Sequence, residues 1–76
     1  MVLIRLPEVI RESGLSRSSI YHSIDLGLFP KPIKIGERAV AWLCSEITAI
    51  NAARIAGKSG EELKSLVSQL QVIRGR

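Results

Sequence analysis

Eight side chains between positions 17 and 38 have the types and spacing needed to grip a polyanion: Arg17, Ser18, Ser19, Tyr21 and His22 in one short run, then Lys31, Lys34 and Arg38. Duplex DNA asks for two kinds of group, cations and N–H donors at phosphates and hydrogen-bonding or methyl-contacting groups at base edges. Arg17 suits either task, forking onto a guanine edge or meeting a phosphate, and is the expected main reader. Ser18 and Ser19 are short enough to let a helix terminus approach the duplex closely. Tyr21 follows one turn after Arg17. Its hydroxyl suits a phosphate and its ring a sugar or thymine methyl, while the same amphipathic ring serves equally well as half-buried scaffold. His22 is either a donor to a base or exposed filler. Lys31, Lys34 and Arg38 suit phosphate clamping or entry into a minor groove, Arg38 foremost, although charges on a hairpin also protect an edge strand from aggregation.

Other chemistries lack their parts. There is no phosphate-binding Gly-Lys loop, no dinucleotide Gly pattern, and no nucleophile set beside a histidine and a carboxylate. One cysteine, Cys44, and one histidine, His22, make neither an intramolecular disulfide nor a structural zinc site. No catalytic residue, metal, cofactor or small-molecule substrate is therefore expected. With 76 residues the chain is one small domain that buries about 60% of its unfolded surface. Hydrophobic residues at 46% and charged ones at 24% place it among globular proteins, and a net charge of +4 favours polyanionic partners. A missing export signal and the absence of a long apolar run predict a cytoplasmic, nucleoid-associated protein with no membrane partner.

The elements that must carry these groups follow from helix and turn signals. Pro7 suits the first turn of a helix over 7–12, with Val9 and Ile10 facing inward and Ser13-Gly14 as its stop. Ser16 is placed to cap a second helix that Gly27 closes in the left-handed conformation. Leu15, Ile20, Ile24 and Leu28 then face the core, leaving Arg17, Ser18, Tyr21, His22 and Asp25 outside. Pro30 and Pro32 enforce extended backbone, and 33–40 alternates about a Gly36-Glu37 loop of type II′, which sets Ile35 opposite Arg38 and Ile33 opposite Val40. Trp42, flanked by Val40 and Leu43, is expected in the core. Ser45 is the expected cap of a third helix through 56, with Glu46 in its first turn and Gly57 as its stop. Ser59-Gly60-Glu61-Glu62 has capping-box spacing ahead of a fourth helix. Its stripe of Leu63, Leu66, Val67, Leu70 and Ile73 either packs on the monomer or forms a homodimer. The predicted fold is mostly α with a small β-hairpin wing, a winged helix-turn-helix over 1–57 followed by an amphipathic C-terminal helix over 58–76. Such a domain lays its second helix in the major groove and its wing on the neighbouring backbone.

Taken together, Arg5-Leu6-Pro7-Glu8-Val9, Gly14-Leu15-Ser16-Arg17-Ser18-Ser19-Ile20-Tyr21, Phe29-Pro30-Lys31-Pro32-Ile33-Lys34-Ile35-Gly36, Arg38-Ala39-Val40 and Trp42-Leu43 resemble the AlpA-type phage regulatory family. The resemblance runs from about residue 5 to residue 57. It implies a MerR/excisionase-like winged helix that binds double-stranded DNA and regulates transcription of prophage or genomic-island genes. Two alternatives are an excisionase that bends DNA at attachment sites and a protein-interaction adaptor presenting the last helix. Where AlpA-like sequences often carry arginine, this chain has His22, which weakens a phosphate or base contact there.

Overall fold

The computed structural model describes residues 2–75. Its elements are β1 (Leu3–Ile4), α1 (Leu6–Ser13), α2 (Arg17–Asp25), β2 (Ile33–Lys34), β3 (Val40–Leu43), α3 (Cys44–Ile55) and α4 (Gly60–Arg74). The strands form one antiparallel sheet in the order β1-β3-β2. Four helices around a small sheet with a hairpin make a winged helix-turn-helix with an added C-terminal helix.

Local signals fix most helix ends. Ser16 Oγ accepts from the Ser19 N–H at 3.2 Å, the bond expected of an N-cap. At the other end Gly27 has φ 76°, its N–H donates to the Ile24 carbonyl, and the Leu28 N–H reaches back to Ser23. That pair of bonds is a Schellman motif, which needs a left-handed residue and hence glycine. The same pair recurs after α3, from Gly57 to Arg54 and from Lys58 to Ala53. Ser59 and Glu62 complete the capping box of α4 in both directions.

Three expectations need correction. The hairpin pairs Ile33 with Ala41 and Lys34 with Val40, one residue away from the anticipated register. The Ile35 N–H donates to the Ala39 carbonyl, so the loop holds Gly36, Glu37 and Arg38, and Gly36 does not take the positive φ that a type II′ turn demands. Ser45 is not the cap of α3. Strand β3 feeds directly into that helix, with Leu43 at the N-cap position and no side-chain cap. The physical reason is β1, a two-residue strand too short to announce itself. It pairs Leu3 with Leu43 and Ile4 with Trp42, and the Cys44 N–H donates to the Val2 carbonyl, holding the chain extended up to the helix start. Finally, α1 begins at Leu6 and ends at Ser13, one residue beyond the expected span on each side.

The core gathers Ile4, Val9, Ile20, Phe29, Trp42, Ile47, Ile50 and Val67. Trp42 is fully buried, and its indole N–H donates to the Pro30 carbonyl at 3.1 Å. This contact fixes the bend between α2 and the hairpin without leaving a buried donor unsatisfied. Helix α4 packs on α3, and Leu66, Val67 and Leu70 of its stripe face the chain's own core. Its last turn is held by polar bonds. Arg74 grips the buried Glu46 with Nε at 3.1 Å and Nη2 at 2.5 Å, and Nη2 also donates to the Lys31 carbonyl. Gln71 accepts from the Lys31 N–H. Within the stripe Ile73 stays 65% exposed, next to an exposed Val72.

Candidate nucleic-acid interface

Helix α2 presents the face that its periodicity implies. Ile20 is fully buried, Ile24 is partly buried against the core, and Arg17, Ser18, Tyr21, His22 and Asp25 are exposed. The turn that leads into it holds Gly14 at φ 71°, a conformation costly for any residue with a Cβ, and lets Leu15 drop toward the core. Helix direction is thereby set before the first outward side chain, Arg17, is reached.

Ser16 Oγ also donates to Ser19 Oγ at 3.0 Å. Ser19 is thus engaged in the cap and shapes the helix terminus, whereas Ser18 is exposed at the surface. Tyr21 is 37% exposed, and its ring meets the Trp42 ring edge-on, with centroids 6.3 Å apart at 67°. This is the preferred geometry of aromatic pairs. The buried indole therefore braces the tyrosine as scaffold while part of its surface stays open to a partner.

Arg17 and Tyr21 share a cleft of about 420 Å³ with Arg5, Leu6, Pro7, Arg38 and Val40. Three segments converge there: the entry to α1, the start of α2 and the tip of the hairpin. The corrected register adds Lys34 to this side of the wing. Residues directly opposite across a ladder share a face, so Lys34 lies on the face of Val40, a cleft-lining residue, whereas the expected register put it on the reverse. Ile33 and Ala41 take the other face, and Ile33 lines an apolar groove with Leu43, Leu70 and Ile73.

The remaining expected contacts stand apart from the cleft. His22 is exposed farther along α2. Lys31 has an exposed side chain, but its backbone is tied on both sides of the residue to Gln71 and Arg74 of α4. The cleft residue that sequence reasoning did not place there is Arg5. It occupies the N-cap position of α1 with no side-chain cap bond, and its place beside the wing follows from the pairing of β1 with β3. No local pattern announces that pairing; the only hint was a cation directly preceding the helix-initiating Leu6-Pro7.

Among the described residues, carboxylates pair with Arg11, Lys58 and Arg74, and none pairs with Arg5, Arg17 or Arg38. No three His, Cys, Asp or Glu side chains of the described residues come together as a metal site, and no helix is long and apolar enough to cross a membrane. The cleft thus offers uncompensated guanidinium groups and a braced phenol, a donor set suited to phosphate oxygens and base acceptors.

Comparison with known proteins places this architecture. The family model described as Prophage CP4-57 regulatory protein (AlpA) matches residues 2–54, which takes in the helix-turn-helix, the wing and most of α3. Over 55 residues the chain is 53% identical to Uncharacterized protein ORF88 of Enterobacteria phage P4, a match covering 72% of this chain and 62% of that relative. The match therefore spans less than two thirds of the relative's length.

Proposed function

Because the chain belongs to the AlpA family of prophage regulatory proteins, we propose that it binds double-stranded DNA sequence-specifically and regulates transcription of prophage or genomic-island genes. The observation that carries this reading is the shared cleft of Arg17, Tyr21 and Arg38, in which the second helix of the helix-turn-helix and the wing present unpaired donors side by side. In that arrangement α2 enters the major groove N-terminus first. Arg17 reads a base edge, Ser18 permits close approach, and Tyr21, His22, Lys31, Lys34 and Arg38 serve the flanking backbone. The role is binding rather than catalysis, and it is exercised on the nucleoid in the cytoplasm. A homodimer built on the last helix would draw on Leu63 and Ile73 with Val72, since Leu66, Val67 and Leu70 are committed to the chain's own core.

The test is fluorescence anisotropy with duplexes from the protein's own promoter and from the nearest attachment site, repeated over a salt series. Expected are a preference for one sequence and a log-log salt slope of about −0.9 per neutralised phosphate. Lack of affinity for every double-stranded fragment overturns the reading. A large kink mapped with permuted fragments, confined to attachment-site DNA, reassigns the same surface to an excision factor.

A further inference from the structure

We propose that Arg5 and Arg38 together hold one backbone phosphate of the duplex in the cleft beside Arg17, and that this grip fixes the angle between the second helix and the wing on DNA. The inference rests on the DNA-binding reading above and adds a contact residue, Arg5, together with a stoichiometry of two arginines to one phosphate.

Its basis is convergence. Arg5 follows β1, Arg38 sits in the three-residue loop of the hairpin, and the two are remote in sequence, yet both line one cleft of about 420 Å³. The β1–β3 pairing that sets Ile4 opposite Trp42 fixes the first segment beside the wing. No carboxylate lines the cleft, so nothing within it neutralises the two guanidinium groups. Like charges gathered without a counter-charge repel, and the arrangement is stabilised when an anion enters. A guanidinium fork matches the oxygens of a phosphate, and two forks satisfy more of those oxygens than either alone. The walls supply the rest: Leu6, Pro7 and Val40 add apolar lining, and the Tyr21 ring, braced by Trp42, brings a phenol as an uncharged donor. Arg17, on the same cleft but at the first position of α2, is left to reach the base next to the held phosphate. Arg5 is exposed, and no side-chain bond of its own caps α1, so replacing it leaves the fold intact.

The experiment compares wild type, Arg5→Ala, Arg38→Ala and the double variant on the preferred duplex, then repeats each titration with single methylphosphonate substitutions along both strands. Each single variant is expected to lose about tenfold in affinity, with the double variant losing much less than the product of the two. One and the same neutral linkage should weaken wild type strongly, and Arg5→Ala and Arg38→Ala each to a clearly smaller extent. The salt slope should fall by about 0.9 in the double variant and by no more than that in either single one. Circular dichroism melts verify that the variants fold as wild type does. If wild type binds the duplex but Arg5→Ala binds equally well, or if the two arginines map to different phosphates, this inference is overturned while the DNA-binding reading stands. If wild type binds no duplex at all, both fall.

Discussion

Two regions of this small protein use arginine in opposite ways. On the α4 side, Arg74 is partly buried and satisfied, its guanidinium spanning the carboxylate of Glu46 and the Lys31 carbonyl. On the cleft side, Arg5, Arg17 and Arg38 line an open surface and pair with no carboxylate. The first arrangement is closed upon itself and joins the last helix to the segment entering β2 and to α3. The second has no counter-charge within the cleft. Charge count alone does not separate the two, and a net +4 describes the whole chain equally. What separates them is whether the counter-charge lies within the molecule.

The comparison breaks most completely at the residue on which both regions depend. Trp42→Ala removes the indole that braces Tyr21 and bonds to Pro30, and should cost about 3–5 kcal/mol in urea denaturation, enough to unfold much of the population of so small a domain. Arg74→Ala should cost about 2–3 kcal/mol, below the value for a fully buried pair because a fifth of the arginine side chain remains in water. A second change, Glu46→Leu, should restore most of that loss by removing the stranded carboxylate, with sequence discrimination on DNA unaltered throughout. The cleft should respond the other way. Arg17→Ala should keep its melting temperature and lose about 1–3 kcal/mol of discrimination between the preferred site and a mismatched one. Lys34→Ala should instead weaken all sequences alike and lower the salt slope by about one phosphate's worth. Equal loss of discrimination in both variants would contradict the assigned division of labour.

The smallest effect concerns the start of α4. The Ser59 backbone N–H, then the Ser59 hydroxyl and the Lys58 charge, hold the Glu62 carboxyl below its ordinary range. A depressed folded value means that the ionised form favours the native state. This contribution is present at neutral pH and is lost as pH falls below the ordinary carboxylate range through the lowered value. Ser59→Ala should therefore lower Tm by a few degrees at pH 7, and the difference from wild type should shrink on acidification, as followed by circular dichroism.

What could be read from sequence was local. Ser16, Gly27, Gly57 and the Ser59–Glu62 box each act within five residues, and each behaves as helix chemistry requires. The inward face of α2 follows from the spacing of Ile20 and Ile24, and the exposure of Arg17 and Tyr21 agrees with the sequence reading that puts them on or near the outer side. What escaped was set by partners far along the chain. Strand β1 exists because Leu3 and Ile4 meet Leu43 and Trp42, and neither Arg5 in the cleft nor Leu43 as the start of α3 can be inferred without that pairing. The hairpin register turned on one loop residue, which decided the face of Lys34. Glu46 was read only as a charge near a helix terminus, since its mate lies in another helix, Arg74.

The direct passage of β3 into α3 leaves no slack between wing and scaffold. Leu43 ends β3 and is the N-cap of α3, so no linker residue stands between the two elements. One inserted residue at this seam would turn the whole of α3 by about 100° and carry Ile47 and Ile50 out of the interior, whereas added length at the 57–59 turn merely loosens a surface corner.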